Sequence, residues 1–398
     1  MAPGCRRHRT SGPSDFRPSD QRLDRPLEGT TMQITAAVAH ASGGPLGIET
    51  LELDDPRPDE ILVRLDATGL CHTDLAILDQ VPLRWPAVLG HEGAGVVVRV
   101  GASVRALAPG DHVVLVAASC GDCASCRGGQ PSYCLCYQSL NLGGGRRPDG
   151  SWTHRQHGRP AFGSFFGQSS FATYALATER NAVRVDADLP LQLMATLGCG
   201  VLTGAGAVLN TLRVRPASSV AVFGAGAVGL AAVMAARIAG CASITAVDTR
   251  PQRLRLAAEL GADRTIDAGD TDAVAVLEKS GGVDYAVEAA GHVAVMQQAV
   301  AALAPGGEAA LVGVTLGQSV RLDPTLLQSR GLTVRGTLAA GRGSPADLVG
   351  RLAGHWREGR LPIERLVTVF DFADIGTVVE RARAGSVLKA VLRMPHLE

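Results

Sequence analysis

From Met32 to about Gly200, apolar and polar positions alternate in short runs, each broken by Gly or Pro. ILVRLDATGL, GAGVVVRVG, GDHVVLVA, FATYALA and NAVRVD are the clearest of them. Period-two alternation bounded by turn formers predicts half-buried strands in a compact, mostly β domain with barrel-like curvature. From about residue 201 the pattern changes. SVAVF runs into the Ala-rich stretch AVGLAAVMAARIAG, and SITAVD runs into RPQRLRLAAELGA; RTID, VDYAVEAA, EAALVGV and LTVRGT follow. Near-continuous apolar strands alternating with helices predict an α/β unit with a doubly wound parallel sheet over 201–336. From 337 to 398 the chain reads DLVGRLAGHWREGRL, then VVERARAG, and ends on a strand, SVLKAVLRM.

Residues 1–31 differ from everything after them. They are rich in Pro, Arg, Ser and Asp, have no periodic apolar face, and are expected to be a disordered tail. The tail lacks the apolar core of a secretory signal, and Met32 opens the first convincing strand and is a candidate start. A length of 398 residues exceeds one ordinary core and predicts two domains. Apolar content of 46% and charge of 19% suit a globular protein. A net charge of zero gives no electrostatic case for nucleic acid or an acidic membrane surface. No apolar run is long enough to span a bilayer, so a cytoplasmic protein is expected.

Cys120, Cys123, Cys126 and Cys134 fall in the run CGDCASCRGGQPSYC. The spacing lets one loop wrap four thiolates around a tetrahedral zinc, a closed structural site. A disulfide cluster is the competing reading, and nothing in the sequence signals secretion. Cys136 follows closely, but the eight-residue gap favours Cys134 as the fourth ligand.

Gly224, Gly226 and Gly229 form GAGAVG directly after a strand and directly before a helix. Such glycines allow a tight turn, and the helix N-terminus offers unpaired N–H groups to a pyrophosphate. Asp248 ends the next strand, where its carboxylate would accept from the adenosine ribose hydroxyls and repel a 2′-phosphate. NAD is therefore expected over NADP. Arg250 and Arg253 just beyond soften that preference.

Three further candidate ligands sit in Gly-flanked turns: Cys71 in GLCHTDL, His91 in GHEGAG and Cys199 in LGCGVLTG. Together they make three protein ligands with the fourth position open, the arrangement of a catalytic zinc. Asp74 and Glu92 adjoin them and could orient His91 or tune the local charge.

These motifs, in this order, resemble the zinc-dependent medium-chain dehydrogenase/reductase family over roughly 32–398. FFGQSSFATYALATERNAVRV and VFGAGAVGLAAVMAARIAGC are most similar to its aryl-alcohol dehydrogenase branch. The resemblance implies a GroES-like catalytic domain made of 32–200 and 337–398, with a Rossmann domain, 201–336, inserted between them. It implies catalytic zinc on Cys71, His91 and Cys199, structural zinc on the four-cysteine lobe, and NAD as cofactor. Thr73 matches the hydroxyl that bridges alcohol and nicotinamide ribose. His72 and Lys389 match contacts to the cofactor pyrophosphate. Thr203, Val228, Val312 and Val314 fall where the family meets the nicotinamide. Phe165, Phe166 and Trp152 lie in or near segments that could line the substrate pocket, Phe165 being the best of them by family position. The family's relay histidine is replaced by Ala76, so the proton must leave through His72, water or the ribose.

The expected activity is reversible hydride transfer from a primary, aryl or bulky alcohol to NAD. The small-molecule alcohol is the partner, with a homo-oligomer, dimer or tetramer, expected on family grounds. Two alternatives stand beside it. One is a thiol-dependent formaldehyde dehydrogenase of the same family; the other is a catalytically silent, zinc-stabilised NAD-binding protein.

Overall fold

The computed structural model describes residues 31–81, 83, 85–143 and 147–395. The expected tail, 1–31, lies outside the described residues except for Thr31. The described residues form two compact units: one takes in those of 31–128, 134–198 and 368–395, the other 129–133 and 199–367.

The first unit is mostly β. Its strands in chain order are β1 (Thr31–Ala39), β2 (Leu46–Asp54), β3 (Glu60–Gly69), β4 (Ala87–Val88), β5 (Gly93–Val100), β6 (His112–Leu115), β7 (His154–Gln156), β8 (Arg159–Ala161), β9 (Tyr174–Thr178) and β10 (Ala182–Val185). The second unit contributes β11 (Ser219–Phe223), β12 (Ser243–Asp248), β13 (Arg264–Asp267), β14 (Val283–Glu288), β15 (Leu303–Leu311) and β16 (Thr333–Gly336). The chain then closes with β17 (Val367–Asp371) and β18 (Lys389–Arg393).

In the first unit one sheet runs β4-β1-β2-β7-β8 and the other β10-β6-β5-β3-β18-β17, with β9 also paired to β3. The C-terminal strand thus returns to the first unit, as expected: Val391 stands opposite Gly69 and Arg393 opposite Ala67. Central β3 is buried on both faces: Ile61, Leu62, Val63 and Leu65 share one core cluster with Leu51, Leu53, Leu115, Phe162, Phe165 and Phe171.

In the second unit the sheet order is β13-β12-β11-β14-β15-β16, all parallel. This is the doubly wound arrangement, with its reversal between β11 and β14. The helix Ala227–Ile238 is buried from Gly229 to Ala236 and has no side-chain cap at Gly226, its N-cap. The later boundary falls at Thr368 instead of 337. The helix Pro345–Arg357 carries the apolar stripe Leu348, Val349, Leu352 and Ala353, and that stripe is buried within the second unit. No single helix among the described residues is long and apolar enough to cross a membrane.

Candidate active site

The four-cysteine loop closes on itself as its spacing implies. The Sγ atoms of Cys120, Cys123, Cys126 and Cys134 all lie within 4.8 Å of one another. Individual Sγ–Sγ separations are 3.5 Å for Cys123–Cys126 and 3.9 Å for Cys120–Cys126 and Cys123–Cys134. Zinc–sulfur bonds of about 2.3 Å in a tetrahedron require an edge of about 3.8 Å, so the sulfurs fit zinc. Backbone N–H groups of Cys120, Cys123, Leu135 and Cys136 aim at these sulfurs from 3.3–3.4 Å. Without a cation the four cannot all ionise. Burial pushes the Cys134 thiol up to about 12. Burial also works against the Cys123 thiolate, but the N–H groups of Leu135 and Cys126 bring it down to about 6.

The second cluster forms at the ends of β3, β5 and β6. Cys71 is the N-cap of the helix His72–Gln80, and Cys199 that of the helix Gly200–Gly206. His91 and Glu92 occupy the turn before β5. The ligand atoms of Cys71, His91, Glu92 and Cys199 lie within 4.8 Å of one another. Glycines make the approach possible. A Cβ on Gly198 would stand 2.6 Å from the Leu115 carbonyl oxygen and 3.2 Å from Glu92 Cα. One on Gly69 would stand 2.0 Å from Glu92 Oε2.

Asp74 organises this cluster with a single buried carboxylate. Its Oδ2 accepts from the Cys71 N–H at 2.9 Å, and its Oδ1 accepts from the Gly90 N–H at 3.2 Å. Oδ1 also lies 2.8 Å from His91 Nδ1. A proton held at Nδ1 leaves Nε2 as the ligand atom. His91 Nε2 is buried with no hydrogen-bond partner, the mark of a site shaped for a metal. Burial alone would lower the imidazole pKa. The Asp74 charge and the Cys71 sulfur outweigh it and hold the metal-free imidazole well above its ordinary value.

Burial raises the Glu92 carboxyl to about 7, against the pull of Lys389. Lys389 Nζ lies 2.5 Å from Glu92 Oε2 and donates to the Leu70 carbonyl at 3.1 Å. Lys389, expected at the cofactor pyrophosphate, is buried and pairs with Glu92 beside the zinc cluster.

The segment 164–170 roofs His91. The Phe166 ring stacks on the imidazole at 4.5 Å, and the Phe165 ring meets it edge-on at 5.6 Å. Phe165, the expected pocket residue, is fully buried, and the stacked ring is Phe166. Gln168 was missed by sequence reasoning. Its Oε1 accepts from Gly93 N–H at 3.0 Å and its Nε2 donates to the His91 carbonyl at 3.1 Å. Ser164, Phe166 and Ser169 all take positive φ, a concentration of backbone strain beside the ligand. Trp152 is buried, and its carbonyl accepts from Arg147 at 3.2 Å. Thr73 is half-buried and His72 exposed on the first turn after Cys71.

The glycine motif forms a cradle in the second unit. Gly224 has φ +94°, and a Cβ on Gly229 would stand 1.7 Å from the Gly224 carbonyl oxygen. The uncapped N-terminus of the helix Ala227–Ile238 supplies N–H groups for a phosphate. Asp248 Oδ2 accepts from Ala225 N–H at 2.7 Å and Oδ1 from Arg250 N–H at 2.9 Å, so the acid also fixes the motif. Arg253 approaches it at 3.9 Å. Thr203 is buried, Val228 half-buried and Val314 52% exposed.

Comparison with known proteins gives this geometry its context. The alcohol dehydrogenase GroES-like domain matches residues 57–187, and the zinc-binding dehydrogenase domain matches residues 227–353. The chain is 41% identical over 362 residues to geraniol dehydrogenase of Castellaniella defragrans, covering 90% of this chain and 96% of that protein. The chain belongs to the zinc-dependent alcohol dehydrogenase family. The benzyl alcohol dehydrogenase structure from Acinetobacter calcoaceticus superposes with TM-score 0.88 at 39% identity, covering 92% of this chain and 100% of that one. S-(hydroxymethyl)glutathione dehydrogenase of Escherichia coli is 36% identical over 372 residues, 91% of this chain and 100% of that protein. The enzyme is an oxidoreductase of alcohols that uses NAD. Its two cysteine-bearing clusters are a structural and a catalytic zinc site.

Proposed function

We propose that the dehydrogenase oxidises bulky primary alcohols, allylic or aryl, to their aldehydes. The carrying observation is the pair Phe165–Phe166 packed on the metal ligand His91, which makes the surroundings of the zinc cluster flat, apolar and aromatic. Relatives that act on geraniol and on benzyl alcohol support the same class.

Cys71, His91 and Cys199 would hold a zinc whose Lewis acidity would polarise the alcohol oxygen, with NAD as the hydride acceptor when bound. The chain's own residues do the rest. Asp74 keeps the proton on His91 Nδ1 so that Nε2 stays free as a ligand. The Thr73 hydroxyl accepts the hydrogen bond of the alcohol and passes its own proton outward. Ala76 offers no relay group, so exposed His72, on the same helical turn, ends the path. Phe166 excludes water from the reacting carbon. We place the enzyme in the cytoplasm, as a homo-oligomer paired through the sheet edge at β16.

The test is kcat/KM with NAD for geraniol and benzyl alcohol against ethanol. Ratios well above one support the assignment, and ratios near or below one sink it. The S-(hydroxymethyl)glutathione dehydrogenase likeness favours a second reading. Activity toward formaldehyde that appears only with glutathione would select that reading.

A further inference from the structure

The carboxyl end of β14 carries a buried acid that none of the assigned cofactor contacts includes. Glu288 is fully buried. Its Oε1 accepts from the N–H groups of Ala290 at 2.9 Å and Gly291 at 2.7 Å. Its Oε2 accepts from Gly313 N–H at 3.3 Å, and its backbone carbonyl accepts from Val312 N–H at 2.9 Å. One residue therefore ties the loop after β14 to the loop after β15.

Both loops are packed to contact. A Cβ on Gly313 would stand 2.3 Å from Gly291 N and Cα and 2.7 Å from Glu288 Oε2. A Cβ on Gly224 would stand 2.7 Å from Ala290 N. The first glycine of the phosphate motif thus rests on the turn that Glu288 holds. Beyond that turn the chain opens: Val314 is 52% and Leu316 38% exposed.

Position in the sheet gives the cluster a purpose. The strand order reverses between β11 and β14, and ligands of such sheets bind outside the carboxyl ends of the strands at that reversal. The ends of β11 and β12 carry the glycine motif and Asp248, which serve the pyrophosphate and the adenosine ribose. The ends of β14 and β15 therefore serve the other nucleotide. We propose that Glu288 is a positioning residue for the nicotinamide half of NAD. Its carboxylate fixes the backbone of residues 289–291 and 312–314 as the surface against which the nicotinamide ribose and ring lie. The inference rests on the NAD-dependent activity assigned above.

The experiment compares two ligands on the zinc-loaded full chain. NADH binding is read by fluorescence titration, and AMP, the adenosine half alone, by calorimetry. Glu288→Gln removes the charge and turns an amide donor toward backbone donors. NADH affinity is expected to fall tenfold or more while AMP affinity stays within twofold. Equal weakening of both ligands, or of neither, overturns the proposal, because a general loss of packing does not distinguish the halves. Glu288→Asp, which keeps the charge on a shorter arm, is read the same way and should show a smaller loss confined to NADH. It carries the test if the glutamine variant does not fold. Failure of the unsubstituted protein to bind NADH would instead sink the NAD assignment itself.

Discussion

Lys389 and Glu92 form an ion pair of 2.5 Å in which the lysine side chain is 4% exposed and the glutamate not exposed at all. Glu92 has no room to turn away, since Gly69 leaves no space for even a Cβ beside its Oε2. Removing one partner of a buried pair leaves a charge without compensation and costs about 3–5 kcal/mol. Lys389→Met should destabilise the enzyme by about that amount in chemical denaturation. Lys389→Met combined with Glu92→Gln should recover most of the loss, because no charge is then stranded. A double variant no more stable than the single one would show that the lysine acts through packing alone.

Asp74 offers a different readout. It reaches Cys71, Gly90 and His91 at once, so Asp74→Asn turns an amide donor toward donors it cannot satisfy. Carboxylates behind a histidine ligand typically change metal affinity by about 10–100-fold. Under chelator dialysis the variant should lose the zinc at Cys71, His91 and Cys199 and keep the zinc at the four-cysteine lobe. Elemental analysis would then give one zinc per chain against two for the parent. Retention of both zincs at unchanged affinity would remove Asp74 from this role.

The ligand sets were legible because metal chemistry constrains residue type and spacing together. Cys120 to Cys134 declare themselves within one loop, and Cys71, His91 and Cys199 each announce a turn with flanking glycines. Asp74 was legible too, three residues after an N-cap, where a carboxylate turns back to the cap N–H. The Lys389–Glu92 pair was not, because the antiparallel pairing of β18 with β3 is what joins the two ends of the chain. Gln168 escaped for a related reason, and so did the stacking of Phe166 on His91. Both contacts depend on a strained backbone at Ser164 and Phe166, and no propensity of the residues themselves predicts positive φ there. The late domain boundary is a simpler case: an amphipathic helix such as Pro345–Arg357 carries no mark of which core it covers.

Asp248 holds the Ala225 and Arg250 amides, and we propose that it also meets the adenosine ribose hydroxyls. A hydrogen bond to a charged group is worth about 1.5–3 kcal/mol. Asp248→Ser should therefore lower the ratio of kcat/KM with NAD to that with NADP by roughly tenfold or more. Arg253, freed of its carboxylate neighbour, would meet a 2′-phosphate. The same ratio in variant and parent would take Asp248 away from the ribose.

His154 gives the fold an acid-sensitive point outside both sets of zinc ligands. The side chain is 1% exposed, its Nδ1 lies 2.9 Å from Thr153 Oγ1, and its Nε2 has no partner. Burial, helped by the nearby Arg147 charge, holds the imidazole down to about 4. An unfolded histidine takes its proton near pH 6.5. Between these values the unfolded chain binds more protons than the folded one, so stability falls as pH drops. The contribution is complete above about pH 6.5 and is lost progressively toward pH 4, amounting to about 2 kcal/mol by pH 5. His154→Gln should be less stable at neutral pH through lost packing against Gly163, yet its stability should fall less steeply on acidification. Zinc release in acid affects both proteins, so the difference between their denaturation free energies at pH 7 and pH 5 isolates the histidine. Parallel pH profiles for the two would mean that His154 takes up its proton in the folded enzyme as readily as in the unfolded chain.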